Sequence, residues 1–217
     1  MIQQMDKKTK SVAVIVAHPD DETLWAGGTI LSHPEWRCFV VCLCRKNDLD
    51  RAPRFTQTLK ILGACGIMGD LDDGPHQSPL KENEVEDAIL QLCPEGHFDL
   101  IITHSIMGEY TRHLRHEEIS KAVVTLWEER KLNAPELWAF AYEDGNKEYY
   151  PMVIEDAPLY YSLPHEVWEK KYKIITETYG FEKSSWEAMT TPKEEAFWQF
   201  FTVEQARKFL AKGEQVS

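Results

Sequence analysis

Ser11-Val-Ala-Val-Ile-Val-Ala17 runs without a break into His18-Pro-Asp-Asp-Glu22. From Val12 to Ala17 every residue is apolar and most are β-branched, as in a strand buried on both faces. The acidic residues that follow suit the first turn of a helix, whose unpaired N–H groups favour negative charge. A buried strand passing directly into a helix opens a βαβ unit.

The same pattern recurs outward from this stretch. Phe39-Val-Val-Cys-Leu-Cys44 predicts a second buried strand, Ile67-Met68 a short third, Asp99-Leu-Ile-Ile-Thr103 a fourth and Leu137-Trp-Ala-Phe140 a fifth. Between them lie a helix beginning near Asp21, another over Arg54 to Leu62 with Pro53 at its start and Gly63 at its end, amphipathic Glu82 to Leu92, and Glu117 to Arg130. Strands alternating with helices imply right-handed crossovers, hence an α/β three-layer sandwich around a mostly parallel sheet. Ligands in such sheets sit beyond the carboxyl ends of the strands. The loops after the first and fourth strands carry His and carboxylate residues, and this topology brings both to one rim.

After Glu143 the pattern changes. Pro151 to Ile154 predicts one more strand, and His165 to Tyr179 and Pro192 to Lys212 predict helices, the second rich in Phe and Trp. With no internal repeat and no low-complexity linker, residues 1–217 read as a single domain in which 145–217 form a C-terminal cap.

Lys and Arg total 24 against 36 Asp and Glu, a net charge of −12. That balance excludes a nucleic-acid partner and disfavours anionic lipid. No apolar run approaches the roughly 20 residues of a membrane-spanning helix, and Met1 to Lys10 is polar, without the apolar core of a signal peptide. A cytoplasmic protein with no membrane insertion is expected. The five cysteines, an odd number, do not form a disulfide framework and are expected to be buried thiols.

His18-Pro-Asp-Asp21 places an imidazole and two carboxylates at a strand end. A hydrolytic zinc site takes three protein ligands and keeps one position for water. His18 and Asp21 can supply two ligands, which leaves Asp20 beside the water as a general base. The third ligand must come from a distant segment. His113-Leu-Arg-His116 follows the fourth strand, and at i, i+3 on a helix its two rings share roughly one face, so that one can bind metal while the other faces substrate. The metalloprotease signatures H-E-x-x-H and H-x-x-E-H are absent.

Ala17-His-Pro-Asp-Asp-Glu22 resembles the signature of the LmbE-like, or PIG-L, deacetylase family. The likeness extends through Gly27-Gly28, Arg51, Leu71-Asp-Asp-Gly74, His113 and His116, ending near residue 145. The resemblance implies a Rossmann-like fold and removal of acetyl from N-acetylglucosaminyl groups borne by inositol, phosphatidylinositol, malate and related aglycones. It implies His18, Asp21 and His116 as zinc ligands and Asp20 as general base. It makes His113 the group that, protonated, stabilises the oxyanion or feeds a proton to the leaving amine. Arg51 and Asp73 match positions that hold the sugar. The ligand set also suits Fe2+ or Mn2+. The chain departs from the family at Tyr110-Thr-Arg-His113, one residue longer than the family's Tyr-Gly-His and without its glycine, which implies a differently shaped acyl pocket and leaves Tyr110 unassigned.

Two other functions compete with a deacetylase of N-acylated sugar conjugates: hydrolysis of a small N-acyl compound without a sugar, and a non-catalytic metal- or ligand-binding module. His104, at a strand end, receives no role. Gly27 and Gly28 are read as permitting close helix–sheet approach, and the aromatic run near Phe197 as core or as a homo-oligomer contact.

Overall fold

In the computed structural model the described residues are 9–76, 78–111 and 113–216. Most of the polar opening Met1 to Lys10, and Arg112 within the Tyr110 to His113 stretch, therefore lie outside them. The elements run β1 (Ser11–Val16), α1 (Asp21–Ser32), β2 (Arg37–Cys44), α2 (Arg51–Leu62), β3 (Cys65–Leu71), α3 (Glu82–Leu92), β4 (Leu100–Thr103), α4 (Leu114–Glu128) and β5 (Leu137–Phe140). There follow β6 (Tyr142–Glu143), β7 (Met152–Val153), β8 (Leu159–Ser162), α5 (His165–Lys173), a π-helical turn (Ile174–Thr178), α6 (Trp186–Thr190), β9 (Glu194–Phe200) and α7 (Val203–Val216).

The main sheet has the order β3-β2-β1-β4-β5-β9-β8, and β6 and β7 form a separate ribbon. β3, β2, β1, β4 and β5 are parallel; β9 runs antiparallel to them, and β8, antiparallel to β9, returns to their direction. The chain moves outward from β1 through β2 and β3, then returns to β4 on the opposite side of β1. The strand order thus reverses between β1 and β4, and such a switch point opens a crevice at the carboxyl ends. β1 shows why its sequence is unbroken: Val12, Val14 and Val16 enter the layer under α1 and α2, and Ala13 and Ile15 the layer under α3 and α4.

β3 extends over Cys65–Leu71, beyond the short strand and into the turn expected there, and β8 and α6 carried no expectation; three further departures bear on the site. α2 begins at Arg51, so Pro53 falls within the first turn, where a missing N–H breaks no helical bond. α4 begins at Leu114, which puts His116 in its first turn and His113 at its N-cap. The third correction is larger: Pro192 to Lys212 is not one helix. Glu194–Phe200 is a strand between β5 and β8, and the helix starts only at Val203. Phe and Trp favour strands. Here Phe197 packs in one layer while Trp198 and Phe200 pack in the other, the period-two signature of a strand covered on both sides.

β9 also anchors α1. Buried Glu195 accepts hydrogen bonds from Gly28 N–H (2.7 Å), Thr29 N–H (2.6 Å) and the Thr29 hydroxyl (2.6 Å), and pairs with buried Lys171 Nζ at 2.7 Å. A Cβ on Gly28 would lie 2.4 Å from Leu163 Cδ1 and 2.9 Å from Glu195 Oε1, so a larger residue would have to displace both side chains. All five cysteines are free thiols, four of them buried and Cys65 exposed. Among the described residues no helix is long and apolar enough to cross a membrane.

Candidate metal centre and active site

The loops after β1 and β4 meet at the switch point. His18 Nδ1 lies 3.1 Å from Asp21 Oδ2, His116 Nε2 lies 3.4 Å from the same oxygen, and the two ring nitrogens are 3.3 Å apart. Donors at the corners of a tetrahedron stand about 1.63 bond lengths apart, so Zn–N and Zn–O bonds of about 2.0–2.2 Å call for corners about 3.3–3.6 Å apart. The three donor atoms are spaced to fit a single small cation, and a nitrogen of His113 lies within 4.8 Å of those of His18 and His116. The other oxygen of Asp21, Oδ1, accepts Trp25 Nε1–H at 3.0 Å, which fixes the carboxylate plane.

Each imidazole is aimed by a carboxylate behind it. Glu109, fully buried, accepts Ser105 N–H at 2.8 Å through Oε1, and its Oε2 lies 2.5 Å from His116 Nδ1 and 2.9 Å from His104 Nδ1. The proton on His116 Nδ1 leaves Nε2 as the donor lone pair. Asp73 does the same for His18: its Oδ1 is 3.2 Å from Nε2, while Oδ2 takes the fork of Arg45. The loop that carries Asp73 is pinned by buried Arg115, which bonds the carbonyls of Asp72 (2.5 Å) and Ser78 (2.7 Å) and the Glu118 carboxylate. His104 also lies among the candidate metal-binding groups, with Asp21 and His116. Its Nε2 already accepts Ala17 N–H at 2.9 Å, so it braces the rim rather than holding a cation.

The electrostatics fit a cation cage. Burial pushes the His116 pKa down, but Asp21 and Glu109 outweigh it and hold it up to about 10. Burial raises Glu109, yet His104 and His116 reverse the effect and bring it to about 2. Asp21 is held well below the carboxylate range, because His116 and His18 override its burial. A field that retains a proton this firmly favours a divalent ion in its place.

Asp20 stands at the N-cap of α1 with φ 120° and ψ −28°, a conformation that aspartate adopts at a cost of about 1–3 kcal/mol. Buried Glu22 holds it there by accepting Asp20 N–H at 3.1 Å. Arg51 Nη1 reaches its Oδ2 at 3.3 Å. Burial and the adjacent negative charge of Asp21 raise its pKa well above the usual carboxylate range, against the pull of Arg51. His113 packs edge-on to His18 (4.6 Å between ring centroids) and stacks on His116 (4.4 Å). Burial and these two neighbours bring its pKa down to about 3.

A cavity of about 1010 Å³ opens over these groups, walled by Leu24, Arg51, Tyr110, Tyr149 and Trp186 among others. Despite the altered spacing, the ring of Tyr110 lies 5.7 Å from that of His113, 5.4 Å from that of His116 and 4.7 Å from that of Trp186. Arg51 and Asp73 line the cavity, and both are already engaged there, Arg51 with Asp20 and Asp73 with His18 and Arg45. His18, Asp20, Asp21, His113 and His116 come together here, as their motifs suggested. Glu109, Arg45 and Arg115 had no signal that singled them out: a carboxylate behind a metal-binding histidine is recognisable only once the rings are placed.

A family model described as GlcNAc-PI de-N-acetylase, PIG-L, matches residues 13–127, more than half of the chain. An uncharacterized protein of Acanthamoeba polyphaga mimivirus is 23% identical over 176 residues, 75% of this chain and 75% of its own. N,N'-diacetylchitobiose deacetylase from Pyrococcus horikoshii is similar in structure with a TM-score of 0.66 at 17% identity, covering 93% of this chain and 87% of that one. The 4-carboxy-2-hydroxymuconate hydratase GalB from Pseudomonas putida follows with a TM-score of 0.61 at 19% identity, covering 89% and 97%. At such identities these two structures share the fold of this chain.

Proposed function

The chain belongs to the PIG-L family of GlcNAc-PI de-N-acetylases, and on that premise we propose that it is a metal-dependent amidase removing an N-acyl group, acetyl foremost, from an N-acetylglucosamine-type conjugate. The observation that carries this reading is the triangle of His18 Nδ1, Asp21 Oδ2 and His116 Nε2, with edges of 3.1–3.4 Å, in a cavity that Asp20 and His113 also line. A divalent cation held there, Zn2+ by preference and Fe2+ or Mn2+ by the same donor set, would supply Lewis acidity toward water and toward the amide carbonyl.

The protein's own groups supply the proton movements. Asp20, with its raised pKa, is a carboxylate basic enough to take a proton from the attacking water. His113 enters neutral, presents an N–H to the oxygen where negative charge grows, and gains proton affinity as that charge develops. The proton taken by Asp20 then leaves on the departing amine, which closes the balance: amide plus water gives acid plus amine. Asp73 acts through His18, and Arg51 through Asp20. The half-exposed rings of Tyr149 and Trp186 offer the flat faces on which a sugar or its aglycone stacks.

Amine release from a panel of N-acetylglucosamine conjugates, with metal analysis of the same preparation, tests the proposal. Protein that holds its metal but frees no amine from any N-acyl compound overturns it. The hydratase neighbour gives a second reading, since a cation with a carboxylate base can also add water to a double bond. Loss of conjugated-alkene absorbance without amine release would select that reading.

A further inference from the structure

The segment after α5 touches no reacting group, yet it reaches both side chains that restrain Asp20. α5 continues into the π-helical turn, which closes with Tyr179 N–H on Ile174 O (2.9 Å) and Phe181 N–H on Ile175 O (3.2 Å). Gly180 follows at φ +76°, and a Cβ there would fall 2.2 Å from Arg54 Nη1, which itself donates to Thr178 O at 3.1 Å. The turn is therefore seated on α2. Two side chains leave it. The buried Tyr179 hydroxyl donates to Glu22 Oε1 at 2.8 Å, and the opposite oxygen of Glu22 accepts Asp20 N–H at 3.1 Å. The Phe181 ring lies 4.2 Å beneath the guanidinium of Arg51, whose Nη1 is 3.3 Å from Asp20 Oδ2.

One strained residue is thus gripped at its main chain and at its carboxylate by two linkages that start from a single turn, about 160 residues away in sequence. π-Helical turns recur at functional sites, where the extra residue redirects side chains. We infer that Tyr179-Gly180-Phe181 is a positioning device for Asp20, with Tyr179 and Phe181 as positioning residues that fix its left-handed backbone and its carboxylate. The effect on rate rests on the reading of Asp20 as base; the geometric part does not.

The test uses the full chain carrying Tyr179→Phe, with Phe181→Leu as a second variant that leaves the Glu22 linkage intact. In amide NMR spectra, Tyr179→Phe is expected to shift the Asp20 N–H and to speed its hydrogen exchange about tenfold or more. It should lower kcat about tenfold, leave KM within about twofold, and leave metal content unchanged. Phe181→Leu should lower kcat by a smaller factor and leave the Asp20 amide in place. Built into Asp20→Asn, Tyr179→Phe should cost nothing more. An unmoved Asp20 amide in Tyr179→Phe, or a rate loss that persists in full in the Asp20→Asn background, overturns the inference. A moved amide with unchanged turnover upholds the device and instead removes Asp20 from the base role.

Discussion

Two buried charge clusters hang on α1, and they are closed in different ways. At the middle of the helix, Lys171 and Glu195 face each other at 2.7 Å, and Glu195 is further satisfied by Gly28 and Thr29. That cluster is complete within the chain. At the N-terminal turn, Asp21, Glu109 and Asp73 converge on His18 and His116, and the charges balance only when a proton or a cation enters. Both clusters are largely buried, so burial alone does not mark function. The difference lies in whether the donors point at one another or at a common point in space.

The sharpest break in this comparison is His116→Ala, which removes one corner of the triangle. Metal content should fall to background, and amine release should drop by about a thousandfold or more, since the remaining two ligands no longer hold the ion. Asp20→Ala should separate binding from chemistry: metal analysis should match the parent protein while kcat falls about 10²–10⁴-fold. The closed cluster should answer in stability alone. Glu195→Gln strands a buried ammonium and should cost about 3–5 kcal/mol in urea denaturation, and Lys171→Met combined with Glu195→Gln should recover much of that loss. Should either change strip metal while the fold stays intact, the division between the clusters fails.

Smaller effects sharpen the picture. Glu109→Gln should weaken metal affinity about 10–100-fold in competition with a chelator, because His116 loses its orienting acceptor. pH provides the mildest test. In chelator-treated protein, His116 has a folded-state pKa of about 10 against 6.5 for an ordinary histidine. Its stabilising contribution is complete below the lower value and is lost as pH rises through the upper one. Urea midpoints should therefore decline between pH about 7 and 10, and added divalent cation should flatten the decline.

Much of the candidate site's geometry could be anticipated from local text. Ser11 to Glu22 names its strand, its turn and its helix within a dozen residues, and the crossover rule then brings His116 beside His18 across 98 positions. The partners behind the ligands were not legible. Glu109 sits between turn residues, with nothing periodic to show that its carboxylate points inward at two imidazoles. Asp73 reads as a turn residue for the same reason. The C-terminal third misled because Glu194–Phe200 mixes acidic residues with aromatics on both faces, so it lacks the polar–apolar alternation of an edge strand. Only the long-range pairing of β9 with β5 and β8, and of Glu195 with Lys171, decides its state.

That pairing has a consequence for how the protein is made. Glu195 emerges from the ribosome long after α1, yet two main-chain amides and one hydroxyl of that helix wait for its carboxylate. A nascent chain halted before β9 lacks the strand that joins β5 to β8, so the fold that carries Asp20 and Asp21 is left open as well as untethered. Competence to capture a cation should thus arrive late in synthesis, and a chain cut short after residue 190 should reach the cell with its chemistry unassembled.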